Sequence, residues 1–482
     1  MRGKLVVTLV LLLLAAVGCS TGDDEELADL DGDGDAAVDG DVDADGDAEA
    51  DLPDGDGDAA EEEGEDDSPP PVECRPEIPL RPLDFAADET FDLGPYLMQP
   101  TPTGIVVMWR TIEETDGAVL LGEGDEPERT IEQEGISTIH EIPIDGLEPD
   151  TRYGYRVRSG ELVSALHHFH TAPEPGQGFR FALWGDNQNG PEVFQTVVAG
   201  IAAVQPHILL GVGDHVQTGS EDALWKDQLF GPARALFHEA AFFPAIGNHE
   251  QNSQNLYDLY SLPPWSDDPQ NESNYSYTYG NTFFLVINVF RIFFPLGDHE
   301  TELSQWIREQ AASPAAQAAA WRIAYAHEPG YSEGWGNGSC TYDGNQPVRG
   351  WLLPLLAENR FHAYFAGHTH GYERGVVEGG VVEIISGGGG GGLDAWCLDW
   401  PETTVAHYAH HFLNVEVGCD TLRIEATYPD GEVFDWVELA SDSWGTLVDE
   451  GPAEDLPPPV VNIDSPTLGE QRVRTLAGAA GK

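Results

Sequence analysis

The chain of 482 residues predicts a multidomain protein in which an all-β sandwich precedes a layered α/β domain. Three observations predict this. Residues 85–173 hold short β-branched and aromatic runs separated by turn residues, with no helical period. From about residue 175, apolar runs of strand length alternate with longer segments of helical period. Ahead of both lies a stretch too poor in apolar residues to build a core.

The N-terminal part divides in two. In residues 1–18, Arg2 and Lys4 precede the apolar run LVVTLVLLLLAAVG, which stops at Cys19. The run is too short to cross a bilayer as a mature helix and has the shape of an export signal. Ala16, Val17 and Gly18 before Cys19 resemble a bacterial lipoprotein box, which makes Cys19 the lipidated first residue of an exported, membrane-anchored chain on the periplasmic or cell-surface side. Cleavage nearby with Cys19 unmodified is the alternative. Residues 20–73 then carry 17 Asp and 8 Glu with no Lys or Arg. Like charges without apolar partners cannot collapse, so 19–73 is expected to be a disordered, self-repelling linker. Its D-x-D-x-D-G pattern lacks the bidentate Glu and flanking helices of a calcium loop.

The formal net charge is −63, and −40 of it falls on residues 74–482. That balance argues against nucleic acid as a partner. With Cys19 lipidated, Cys74, Cys340, Cys397 and Cys419 remain, an even number that in an oxidising compartment suggests two disulfides in one of three connectivities. The expected pairs are Cys340–Cys397, between two loops that follow candidate site strands, and Cys74–Cys419.

In residues 85–173, GIVVMWRT (104–111) and YGYRVRSG (153–160) read as strands, and LEPDTRYGYRV sets a Pro-Asp turn before a tyrosine-rich strand. A seven-stranded sandwich is the natural expectation. The stretch resembles a fibronectin type III-like module and carries no catalytic constellation. His167, His168 and His170 on its last strand are assigned to surface or interdomain packing.

In residues 175–440 the strand candidates are FRFALW (179–184), HILLGVG (207–213), FFPAIG (242–247), TFFLVIN (282–288), WRIAYA (321–326), FHAYFAG (361–367) and VVEIISG (381–387). Helices are expected at 191–205, where Val193, Phe194, Val197, Val198 and Ile201 recur at helical spacing after Pro191, and at 347–359. Polar residues able to bind metal stand just beyond several strands: Asp186, Asp214, Asn248 with His249, His327, then His368 and His370. In YFAGHTHGYERG the two histidines one residue apart project to the same side of extended chain. Open α/β sheets bind ligands at the carboxyl ends of their strands, so these residues are expected to converge. Strands at 411–417, 421–428 and 433–439 should close the second sheet, and 441–482, rich in Pro, Asp and Gly, reads as a tail.

The motifs GDNQ (185–188), GDHVQTG (213–219), GNHE (247–250), AHEPGY (326–331) and GHTHGYER (367–374) occur in the order of the calcineurin-like metallophosphoesterases. The wording of the last two, and the preceding sandwich, look specifically like the purple acid phosphatase branch. The resemblance spans about residues 85–440. It implies two packed sheets flanked by helices and two metal ions, with a hydroxide held between them that attacks phosphorus in line. It further implies that Asp214 bridges, that Asp186 and His370 bind the first metal, and that Asn248, His327 and His368 bind the second. His249 would stabilise charge on the phosphate or give the leaving alkoxide a proton.

Two departures qualify this. Gln217 stands where the family has a tyrosine ligand, and Gln188 occupies a position that is histidine or glycine in relatives. Gln188 either supplies an amide oxygen to the first metal or orients a water. The family histidine that assists the leaving group falls at Asn337, so proton donation rests on His249, with His215 or Glu328 as helpers. A phenolate stabilises ferric iron and an amide does not, so a colourless pair of divalent ions, manganese, zinc or ferrous iron, is expected. The run SGGGGGG (386–392) lacks the Lys-Ser/Thr of a phosphate loop and reads as a flexible rim loop. His407, His410 and His411 carry no assigned chemistry. Small phosphomonoesters are the expected substrates. A phosphodiesterase or nucleotide hydrolase, and a surface binding protein without catalysis, are the alternatives.

Overall fold

The computed structural model describes residues 88–451 apart from 264–272, 292–298, 337–339, 378 and 442–446, together with residues 74, 75, 78 and 82. The export signal, Cys19, the acidic linker, Asn337 and most of the expected tail lie outside the described residues.

The sandwich forms from two antiparallel sheets. Leu93–Thr101, Gly104–Thr115 and Ser137–Asp145 make one. Arg129–Glu132, Ala118–Glu123, Arg152–Ser159, Leu162–Val163 and His167–His170 make the other. The count is eight rather than seven, because a two-residue hairpin partner, Leu162–Val163, pairs with Arg158 and Ser159. The strand GIVVMWRT explains how this sandwich is anchored. Ile105, Val107 and Trp109 point into the sandwich core with Val119, Leu121, Tyr155 and Val157. Val106 and Met108, on the opposite face, join the core of the α/β domain with Leu93, Tyr96 and Met98. An uninterrupted apolar run is what a strand buried on both faces requires. Tyrosine hydroxyls complete the junction: Tyr96 donates to Leu259 O at 2.9 Å and Tyr155 to His238 O at 2.7 Å.

The α/β domain consists of two seven-stranded sheets face to face. The first runs Ala241–Pro244, Ile208–Gly211, Phe179–Trp184, Phe412–Val417, Thr421–Thr427, Val433–Ala440, Leu447–Gly451. The second runs Tyr275–Tyr279, Thr282–Val286, Trp321–Tyr325, Ala363–Ala366, Val382–Ser386, Tyr372–Val376, Thr403–His407. Phe181, Leu183 and Leu209 of the first sheet share a core with Phe284, Ile323, Tyr325 and Phe365 of the second. Behind the second sheet, Leu285, Ala324 and Tyr364 pack on Leu303, Ile307, Leu352 and Leu356. Helix Pro191–Val204 covers the first sheet with Phe194, Val197 and Ile201 buried. The segment expected as a helix at 347–359 is a wide π turn, Val348–Leu352, continuing as the α-helix Leu353–Glu358; the change of pitch falls where Pro354 has no N–H to donate.

Two further expectations need correction. The strands from 412 to 440 extend the first sheet, not the second: Phe412–Val417 pairs antiparallel with Phe179–Trp184, Leu413 opposite Leu183. The region after 441 is not wholly tail, because Leu447–Gly451 pairs with Val433–Ala440 as the edge strand. Both expected disulfides are present. Cys340–Cys397 clips two loops, and Cys74–Cys419 closes a loop of 345 residues, which in the chain-entropy description stabilises the fold by roughly 6 kcal/mol.

Candidate metal centre

The site is assembled by two sets of parallel strands whose carboxyl ends meet. In the first sheet Phe179–Trp184, Ile208–Gly211 and Ala241–Pro244 run parallel, and Asp186, Asp214 and Asn248 follow them. In the second, Trp321–Tyr325 and Ala363–Ala366 run parallel, and His327 and His368 follow them. Asp186, Asp214 and His368 have φ of 59°, 53° and 68°, the left-handed region that non-glycine residues avoid. Such backbone costs on the order of 1 kcal/mol or more each and persists where surrounding structure fixes it. Here Glu250 does much of the fixing. Its carboxylate accepts Asp214 N at 3.0 Å, His215 N at 2.6 Å and Gly247 N at 2.6 Å. A side chain at Gly247 would collide with the Asp214 carboxylate, which accounts for the glycine of GNHE.

His327 stands at the middle. Its Nδ1 donates to Val212 O at 2.8 Å, which leaves Nε2 to face Asp214 Oδ2 at 3.1 Å, His368 Nδ1 at 3.1 Å and Asn248 Oδ1 at 3.2 Å. Asp214, His327 and His368 thus cluster with their ligand atoms within 4.8 Å of one another. A second group lies beside them. His370 Nε2 is 3.5 Å from Asp186 Oδ1 and 3.2 Å from Gln188 Nε2, which is itself 3.4 Å from Asp214 Oδ2. Two donors bound to one ion at about 2.1 Å lie about 3.0–3.5 Å apart. The observed spacings match that range.

The electrostatics describe a place that demands positive charge. Burial opposes charge on His327, yet Asp214 and Asp186 outweigh it and push the imidazole up to about 10. Asp214 is fully buried, and the His327 charge and hydrogen bond nevertheless hold it well below the usual carboxylate range. Burial, with the Asp214 charge, raises Asp186 well above that range. Burial and the neighbouring His327 charge lower His368 to about 3. Two sequestered carboxylates facing ring nitrogens of three imidazoles fit a pair of cations, with oxygen and nitrogen donors suited to manganese, zinc or iron. Gln188 Oε1 adds to the fit, being buried with no partner among the described residues. His370 is oriented for the same role, since Nδ1 donates to Gly392 O at 2.6 Å and turns Nε2 inward.

His249 sits at the edge, its side chain 28% exposed and its Nε2 3.9 Å from Asp214 Oδ2. Its Nδ1 donates to Gln217 O at 2.7 Å. Gln217 turns away from the carboxylates: its Nε2 is 3.0 Å from His249 Nδ1, and its Oε1 accepts from Asn189. His215 is no helper at the phosphate side, because it is fully buried against Asn187 Oδ1 at 3.0 Å and packs on Trp184 and Phe242. Glu328 is held by Asn345 Nδ2. The glycine run is not a flexible rim. Residues 387–391 are buried, Gly389 N donates to Gly185 O at 2.9 Å and Gly391 N to Asp186 O at 2.7 Å, so the run backs the site. His411 bonds Ser386 Oγ at 3.1 Å and His410 lies 3.3 Å from Gly388 O, both supporting that run.

Sequence reading did not single out Glu250, Asn187, Asp394, Trp335 or Tyr342. Asp394 accepts His370 N at 2.8 Å and Gly336 N at 2.6 Å, tying the ligand loop to a neighbouring loop. The acid after GNH was legible as a motif letter, but its three backbone partners were not.

A family model for calcineurin-like phosphoesterases matches residues 179–372, and one for the purple acid phosphatase N-terminal domain matches residues 95–171. Purple acid phosphatase 15 of Arabidopsis thaliana is 24% identical over 296 residues, covering 52% of this chain and 53% of its own length. Phosphoenolpyruvate phosphatase of Allium cepa is 22% identical over 265 residues, covering 52% and 53%. The chain spans about half the length of the curated relatives it matches. Among solved structures, a purple acid phosphatase from yellow lupin (Lupinus luteus) seeds aligns with a TM-score of 0.61 at 19% identity over 73% of this chain and 74% of the other. The PhoD structure aligns with a TM-score of 0.58 at 12% identity over 77% and 94%. At those identities the likeness is one of fold.

Proposed function

From a chain that joins a purple acid phosphatase N-terminal domain to a calcineurin-like metallophosphoesterase domain, we propose a metal-dependent phosphatase that hydrolyses small phosphomonoesters. The observation that carries this reading is the convergence of Asp214, His327 and His368 at ligand spacing, with Asp186, His370 and Gln188 beside them. Two bound cations would supply Lewis acidity to the phosphoryl oxygens and lower the pKa of an attacking water. The chain's own residues do the rest. The Asp214 carboxylate lies within reach of His327 in one group of donors and Gln188 in the other, so it fixes their separation. Water oxygen bonds to phosphorus as the phosphorus bond to the alcohol oxygen breaks. His249, part-exposed beside Asp214, gives the departing alkoxide its proton from Nε2, and its hydrogen bond to Gln217 O holds the ring at that angle.

The test is hydrolysis of an aryl phosphate by manganese- or zinc-loaded protein beside an Asn248→Ala control. Turnover well above the control supports the phosphatase. Equal rates favour a binding protein, and turnover of a bis-aryl phosphate diester in preference to the monoester favours a diesterase. Gln217 makes its contacts with His249 and Asn189, so no charged phenolate-like donor stands in its place. A colourless di-divalent centre is the expected result of metal analysis and an absorption spectrum. A visible band with one ferric ion per chain overturns the ligand assignment.

A further inference from the structure

We propose that Trp335 is a platform for the leaving group, so that the centre prefers phosphoesters whose leaving alcohol carries a planar ring, an aryl or nucleoside ester. The inference rests on the phosphatase reading and deepens it. His368 presents Nδ1 to the cluster, while its ring meets Trp335 at 5.0 Å between centroids, tilted 35°, and Tyr342 at 4.9 Å, edge on. Trp335 and Tyr342 in turn lie 4.6 Å apart. An indole that is only half-buried therefore stands within one ring width of a metal-facing imidazole. Its ring nitrogen has no acceptor among the described residues, which leaves a polar handle at the edge of an apolar face.

The platform is held rigidly in register with the centre. Trp335 N donates to Ala395 O at 3.1 Å, and Gly334 bridges to Trp396. Glu373 accepts Glu333 N at 2.8 Å and Gly334 N at 3.0 Å on one side of the indole. Asp394 accepts Gly336 N on the other, and the same carboxylate accepts His370 N. The Cys340–Cys397 disulfide clips the two loops together a few residues away. A half-exposed tryptophan on a loop normally costs little to move. This one is fixed by the buried carboxylate of Glu373 and the part-buried one of Asp394, which also sets His370, and that pre-organisation is what a recognition surface needs.

The test measures binding apart from turnover. Manganese-loaded protein is titrated calorimetrically with phenylphosphonate and methylphosphonate, neither of which can be hydrolysed. Phenylphosphonate is expected to bind about three- to tenfold tighter, the range of one aromatic pair. Trp335→Leu should erase that preference and leave methylphosphonate affinity unchanged, and Trp335→Phe should keep most of it. In turnover, Trp335→Leu should raise KM for an aryl phosphate and leave that for glycerol phosphate alone. Equal affinity of the two phosphonates for the unaltered protein, or a preference that survives Trp335→Leu, overturns the platform alone. Binding of neither phosphonate overturns the centre and the platform together.

Discussion

The molecule has two buried clusters of histidine and aspartate, and the histidine that bonds the carboxylate is shifted in opposite directions in the two. At the metal centre His327 is pushed up to about 10. At the junction between the sandwich and the α/β domain, His167 and His238 stack at 4.1 Å beside Asp88, and burial lowers both, His238 to about 3. The difference lies in who satisfies the carboxylate. Burial alone would raise Asp88, but it accepts Thr90 N at 2.8 Å and Ala165 N at 2.6 Å as well as His167, so it rests at about 2 with no further charge needed. Asp214 faces His327 Nε2 at 3.1 Å and Gln188 Nε2 at 3.4 Å with Oδ2, and its Oδ1 accepts backbone His249 N at 2.9 Å. Asp88, answered by two amides besides His167, is structural, whereas Asp214, with Oδ2 turned to His327 Nε2, is placed to hold a cation.

This comparison can be broken in several ways. The largest effect is expected from Asp214→Asn. Loss of the shared charge should cost more than about 100-fold in kcat/KM for an aryl phosphate, beyond the ~10–100-fold typical of residues that only orient ligands. Asp88→Asn should leave kcat/KM within about threefold, since it touches no ligand. A loss at Asp88 equal to that at Asp214 would erase the distinction.

Next comes stabilisation by metal. At a hundredfold excess over the dissociation constant, manganese or zinc should add about 2.7 kcal/mol, seen as a rise of several degrees in the melting temperature that a chelator reverses. Asp214→Asn should abolish the rise and His238→Gln should not.

The third effect concerns acid. His238 has an unfolded pKa near 6.5 and a folded value of about 3, so the unfolded chain binds the proton first as pH falls. Stability is held above pH 6.5 and drains away between 6.5 and 3, by about 1.4 kcal/mol per pH unit. Urea midpoints at pH 7, 6 and 5 should fall accordingly, and His238→Gln, which keeps a donor for Pro95 O, should flatten the slope. In metal-free protein His327 acts with the opposite sign, its contribution complete below 6.5 and lost as pH rises toward 10. The smallest effect is expected at Gln188. Removing a neutral amide by Gln188→Ala should lower kcat/KM by about tenfold or less, and a loss matching that at Asp214 would reassign the bridge.

What could be read from the sequence follows the same division. The residues that converge stand directly after apolar strand runs, so period and position exposed them. Ile105, Val107 and Trp109 against Val106 and Met108 made a strand legible, but not the fact that its two faces serve different cores. The sheet to which Phe412–Val417 belongs depends on pairing across more than two hundred residues, which no local pattern encodes. The glycine run misled for a related reason. Glycine is as frequent in loose loops as in places where backbones touch, and only the packing of Gly389 on Gly185 decides between them.

The Cys74–Cys419 bond has a mechanical consequence. Cys419 sits in the hairpin between Phe412–Val417 and Thr421–Thr427, two strands of the sheet that carries Asp186 and Asp214. A pull applied to the chain ahead of Cys74 enters that hairpin through the sulfur bridge, and the sandwich, enclosed in the covalent loop, bears none of the load. Reducing the bond reroutes the force through Arg75, which is bonded to Gly176 and Gly178, and onward into Leu93–Thr101, so the sandwich joins the loaded path. Intact, the bond passes the strain into the hairpin at Cys419, and the sandwich and the rest of the covalent loop stay off the loaded path.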